Sequence, residues 1–168
     1  AMTRHTGEVD VYHLGPFKGL GSRHNVSHWG DGAKEARISQ SLLRRHYYYL
    51  TADERTGDLM ASLVDADHAL LAVNPVRKVA EKTDYPTQAR TGPDWFAFAS
   101  NWLTAWERTG DTKWRDKIVR GLNAIAASSN GMFSGPPFGY DPATATLYDP
   151  KTAFTTSYHL VTIMGGAE

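Results

Sequence analysis

Apolar residues recur at intervals of three and four along several stretches of the chain. Ile38, Leu42 and Tyr49 mark the first, between Lys34 and Leu50, and Leu59, Leu63, Ala66 and Leu70 mark the second. Trp95, Phe98, Trp102 and Ala105 form a third stripe, and Trp114, Ile118, Leu122 and Ile125 a fourth. Side chains three and four apart share one face of a helix, so each stretch predicts an amphipathic helix turned toward a core. A fifth helix is predicted from near Thr152 through Leu160 and Met164.

Between paired helices stand "TAD" at Thr51 to Asp53 and "TGD" at Thr109 to Asp111. Each puts a carboxylate where a helix N-terminus needs an acceptor for its unpaired N–H groups, which predicts tight αα-hairpin turns. The two aspartates are 58 positions apart, and the first helices of successive pairs are predicted to start near residues 34, 94 and 152. The repeat lies in geometry, since the sequences share little beyond the turns. Hairpins recurring at this length predict an all-α fold, part of an α/α toroid and an incomplete six-hairpin barrel. Residues 1–33 then form an extended segment and a first cleft loop, and residues 34–168 about two and a half hairpins. An ordinary helical bundle with long loops is the alternative.

If the first helix of each pair is the inner one, three long segments emerge on one face. They are "SRHNVSHWGDGAK", "TDYPTQARTGPD" and "NGMFSGPPFGYDPATATLYDPK", while the opposite face carries only short turns. Long loops in a compact domain commonly carry function. Helix N-termini pointing to the same face favour an anionic ligand. Trp29, Tyr85, Trp95, Phe138, Tyr140 and Tyr148 offer flat platforms suited to a sugar ring, although Trp95 equally fits the core stripe of its helix.

Charge narrows the partners: 18 basic and 18 acidic residues cancel, which leaves no electrostatic footprint for nucleic acid or an anionic membrane. No apolar run approaches the roughly 20 residues of a membrane span. There is no cysteine, which removes disulfides, thiolate metal sites and cysteine nucleophiles and leaves the compartment open. Ala1 before Met2 reads as a residue added ahead of a start methionine, and the chain stops soon after an apolar run, so a fragment of a larger multidomain protein is expected.

Among single residues, His24 and His28 stand four apart, but "NVS" and "WGDG" around them oppose a regular helix, and no glutamate follows the first as in a zinc-protease helix. No metal and no cofactor are expected. Histidine titrates near neutrality, so either can serve as base or acid, or simply bind the loop's own backbone. Asp31 is read as the cap of the helix beginning near Lys34, with Glu35 and Arg37 in its first turn. Arg90 can grip a carboxylate or pair with Asp94 or Asp141 as a brace.

The run "RHNVSHWGDGAKEARIS" followed by "RRHYYYLTADERTGDLM" resembles the α/α-toroid portion of exo-rhamnogalacturonan lyase-like polysaccharide lyases, in the six-hairpin glycosidase-like superfamily. The likeness covers mainly Ser22 to Met60. It implies a secreted or periplasmic bacterial or fungal multidomain parent acting on an acidic polysaccharide.

Three functions follow. β-Elimination at a uronate needs the carboxylate neutralised, a base for the C5 proton and an acid for the leaving O4. Asn25 with Arg37 or Arg90 suits the carboxylate, His28 or His24 the base, and Tyr140 or Tyr85 the acid; Trp29 and Tyr85 also serve as platforms. Glycoside hydrolysis would draw a carboxylate pair from Asp31, Glu35, Asp94 and Asp141. The third is glycan binding, or a structural half-barrel without activity of its own, whose exposed inner surface invites self-association.

Overall fold

The structure, a computed structural model, describes residues 21–22, 34–36, 40–72, 84–133, 137–149 and 151. Among these the chain is mostly helical, with two helical hairpins and a small antiparallel sheet. The fifth helix, predicted from near Thr152, lies outside the described residues.

The first hairpin joins α1 (Leu42–Thr51) to α2 (Glu54–Ser62), and the second joins α3 (Ala97–Thr109) to α4 (Thr112–Ala126). Their turns share the threonine and left-handed-residue bonds and differ in which N–H the aspartate caps. Thr51 Oγ1 donates to the Tyr47 carbonyl and Thr109 Oγ1 to that of Ala105, both at 2.7 Å. Ala52 (φ 52°) and Gly110 (φ 69°) occupy the left-handed region, and their N–H groups donate to Tyr48 and Trp106 carbonyls at 2.8 Å. Asp53 then accepts from the Thr56 N–H at 2.9 Å, and Asp111 from that of Lys113 at 3.0 Å. The Thr56 hydroxyl on Asp53 and the Lys113 ammonium on Asp111, and after them these backbone bonds, favour the charged carboxylates and hold both below their ordinary pKa.

The predicted start of the first helix near Lys34 is corrected. Lys34–Glu35 forms β2 and pairs antiparallel with β1 (Gly21–Ser22), so Glu35 is not in a first helical turn. The helix waits until Leu42 because a tertiary partner fixes its entry: the buried Ser41 donates its N–H to Asn101 Oδ1 of α3 at 2.7 Å. The second stripe is also two elements. After α2 the chain turns and continues as a 3-10 helix, Ala66–Leu71.

The all-α expectation holds for the hairpins and fails for the loops. Thr87–Ala89 (β3) of the second long segment pairs with Phe138–Asp141 (β4) of the third, which pairs with Thr146–Tyr148 (β5), in the order β3-β4-β5. Register is fixed by Gln88 opposite Gly139 and Gly139 opposite Tyr148. Asp141 closes the hairpin by accepting from the Ala143 N–H and the Thr144 hydroxyl, each at 3.0 Å.

The core lies between the hairpins and this sheet. Trp95, Trp102, Phe98, Phe138 and Tyr140 are its largest buried rings. Trp95 sits in the π-helical turn Thr91–Phe96 that opens α3, edge-on to Trp102 with centroids 6.2 Å apart. It lies against Gly121 of α4, where a Cβ would collide with its indole. Trp95 is therefore packing, not a platform.

Candidate functional site

His24, Asn25, His28, Trp29 and Arg37 lie outside the described residues, as does Asp31. Tyr85, Arg90 and Tyr140 are described, and the structure places them on different partners.

Arg90 is spoken for. It precedes the π-helical turn, and its Nε and backbone N–H both donate to Asp94 Oδ2 at 2.8 Å, while Nη2 donates to Oδ1 at 3.0 Å. Asp94 is buried, so the fork is shielded on one side from water and screening. Of the two readings of Arg90, the brace to Asp94 is the one seen. Asp94 in turn ties the entry of α3 to the end of β3.

Tyr85 lies flat on Tyr148, with ring centroids 4.1 Å apart and planes within 12°. The stack needs Gly139 in the central strand, because any Cβ there would enter the Tyr85 ring. Tyr85 keeps part of its surface exposed, so the pair forms an aromatic plate at the sheet surface.

Tyr140 is fully buried, and its hydroxyl donates to Asp67 Oδ2 at 2.6 Å. Burial, then the charge of Asp67 and the bond to it, push the phenol far above its ordinary pKa. A hydroxyl sealed from solvent and already committed cannot hand a proton to a sugar oxygen in this arrangement. Tyr140 is a fixing residue of the core.

The pairing of Tyr140 exposes a cluster that the sequence reading did not single out. Asp67, with no exposed side-chain surface, sits in the 3-10 helix and accepts from three groups. Besides Tyr140 these are Lys117 Nζ of α4 at 3.0 Å on Oδ2, and the partly exposed His68 Nδ1 at 3.1 Å on Oδ1. Lys117 also lies 4.5 Å from the centre of the Trp102 ring. "ADHALL" looked like a continuation of an apolar helical face; an aspartate on such a face was the signal that a buried cation had to meet it.

Among the described residues no group of three or more histidine, aspartate, glutamate or cysteine side chains can hold a metal ion. Nor, among them, is any helix long and apolar enough to cross a membrane.

The family model described as "PcRGLX-like protein C-terminal alpha/alpha toroid domain" matches residues 1–168. The chain is also 51% identical over 168 residues to "Uncharacterized protein YetA" of Bacillus subtilis (strain 168), a match that takes in 100% of this chain and 20% of that protein. The chain thus spans about a fifth of the length of this relative.

Proposed function

The chain belongs to the family of PcRGLX-like C-terminal alpha/alpha toroid domains, the toroid of rhamnogalacturonan lyase-like proteins, and from that premise we propose that it forms one wall of a cleft in which the full-length protein cleaves an acidic, uronate-containing polysaccharide by β-elimination. The base takes the C5 proton, the C–H electrons become the C4=C5 double bond, the C4–O4 bond breaks, and an acid protonates the leaving oxygen. His28 or His24 serves as base, and Asn25 with Arg37 neutralises the uronate carboxylate. Tyr85, on its plate with Tyr148, takes the sugar face or the leaving oxygen. Arg90 and Tyr140 drop out of the set because Asp94 and Asp67 already hold them.

The fate of two of the four carboxylates counts against the hydrolytic pairs that would use them. Of the four considered for a hydrolytic pair, Asp94 is locked to Arg90 and Asp141 closes its own hairpin turn. A pair needs two free carboxylates set a fixed distance apart across the scissile bond, and these two are held for structural ends. The lyase reading puts the parent protein outside the cytoplasm, secreted or periplasmic, with no nucleic-acid or membrane partner.

The experiment is to incubate the full-length protein with rhamnogalacturonan and other uronate polysaccharides and follow the ultraviolet absorbance of unsaturated uronate ends. Reducing ends without that absorbance would mean hydrolysis, and neither signal would mean binding alone. His28→Ala should slow the lyase by about 10²-fold; unchanged turnover would move the base to His24 or elsewhere.

A further inference from the structure

The two hairpins leave a groove of about 700 Å³ between them, on the side of their tight turns. This is within the size range of small-molecule sites, and it is lined by elements other than the long segments discussed above. Met60, Val64 and Ala105 give it an apolar base, with Met60 and Ala105 buried. Tyr48, Tyr49 and Trp114 supply ring surface around it, and Tyr49 is half exposed.

The polar groups here cancel in pairs. Glu107 Oε1 accepts from Arg45 at 2.9 Å and Oε2 from the Tyr49 hydroxyl at 3.0 Å, while Asp111 pairs with Lys113 at 2.9 Å. Arg108 donates to the Gly57 carbonyl and lies over the Tyr48 ring, 4.7 Å from its centre. The lining balances two carboxylates, Glu107 and Asp111, against two cations, Arg108 and Lys113, and Lys113 Nζ lies 4.6 Å from the centre of the Trp114 ring, so neither sign of ligand charge is favoured. Each carboxylate oxygen retains acceptor capacity beyond the bond it makes, which suits a hydroxyl donor.

We propose that this groove is a second, non-catalytic binding site that takes a neutral saccharide segment, its C–H face on the half-exposed Tyr49 and its hydroxyls on Glu107 and Asp111. The choice of a saccharide rests on the carbohydrate reading above; the location and the neutrality rest on the groove itself. Such a site would hold an uncharged branch or chain segment at a distance from the long-segment face, raising the local concentration of a mixed polysaccharide.

The test is a nuclear magnetic resonance titration of the isotopically labelled chain with neutral galacto-, arabino- and xylo-tetraoses, and with tetragalacturonate. At least one neutral tetraose should shift the Trp114 indole N–H and the Glu107 and Thr109 amides, with a Kd of about 1 mM. Tyr49→Ala and Glu107→Gln, both at exposed positions, should each weaken it about 10-fold or more while leaving the remaining spectrum dispersed. Shifts confined to other surfaces, preference for tetragalacturonate at the groove, or no shifts in a well-dispersed spectrum would overturn the proposal. The lyase assay of the full-length protein separates the two readings: eliminase activity with an empty groove sinks only the second site, and groove binding without eliminase activity sinks only the first.

Discussion

Lys117 Nζ donates to Asp67 Oδ2 across 3.0 Å in the interior, joining the middle of α4 to the 3-10 helix that follows α2. Asp67 has no exposed side-chain surface and Lys117 little. The pair therefore carries a desolvation cost that its own geometry, the Tyr140 hydroxyl, the His68 imidazole and the Trp102 ring offset.

Removing one partner should cost far more than removing both. Asp67→Ala leaves a buried ammonium without its counter-charge and should lower stability by about 3–5 kcal/mol in denaturant unfolding. Replacing both with apolar side chains of similar size, Asp67→Leu with Lys117→Met, should restore much of that loss. A double variant as unstable as the single one would mean that the pair is not the source of the cost.

Tyr140 should make the fold sensitive to alkali. Its pKa is raised in the folded chain, so the protonated phenol is the form that folding favours. Its contribution is complete below the unfolded value of about 10 and is lost as pH climbs from there toward the folded value. Following tyrosinate absorbance together with unfolding, one phenol of the eight should ionise only as the structure opens. Tyr140→Phe should remove that late phase and cost about 1–3 kcal/mol at neutral pH, since an acceptor on Asp67 loses its donor. A late phase that survives the substitution would assign it to another tyrosine.

Gly121 is a helix-interior glycine retained against propensity. Alanine would ordinarily favour a helix by about 1 kcal/mol, but here its Cβ would enter the Trp95 indole. Displacing a fully buried tryptophan at the centre of the core should outweigh the gain, so Gly121→Ala should destabilise by about 1–3 kcal/mol. Asn123→Ala, two positions on and exposed, provides the control and should be neutral or slightly stabilising. Equal behaviour of the two variants would show that Trp95 can give way.

These residues mark what the sequence made legible. The hairpin turns could be read because their information is local: a threonine hydroxyl, a left-handed residue and a capping aspartate act within five positions of one another. The match of "TAD" to "TGD" survives as a match of the threonine and left-handed-residue bonds. The start of α1 was not legible, because Asn101 of α3 sets it from 60 positions away. Nor was the sheet, since β3 and β4 are short strands brought together from either side of the second hairpin, and the turn at Asp141 resembled a loop rich in proline and threonine. At the site, Arg90 and Asp94 were readable as a possible pair at helical spacing. Tyr140 looked like a catalytic phenol because nothing in the chain near it announces Asp67, 73 positions earlier.

One face of α1 has no partner among the described residues. Leu43, Tyr47 and Leu50 recur at helical spacing on it and are 68%, 56% and 87% exposed. Large apolar side chains in register along a helix are what a helix–helix contact uses, and water contact along such a stripe is unfavourable by roughly 25 cal/mol per Å². The 168-residue chain on its own should therefore self-associate reversibly as its concentration rises in sedimentation velocity, and Leu43→Glu with Leu50→Glu should keep it monomeric. Because both positions are exposed, the double variant should change the thermal midpoint of the dilute chain by little. In a longer protein whose further helices cover α1, the same substitutions should instead destabilise the fold, because they would set two carboxylates in an apolar contact. A wild-type chain that stays monomeric at every concentration would mean that the stripe is covered within the 168 residues.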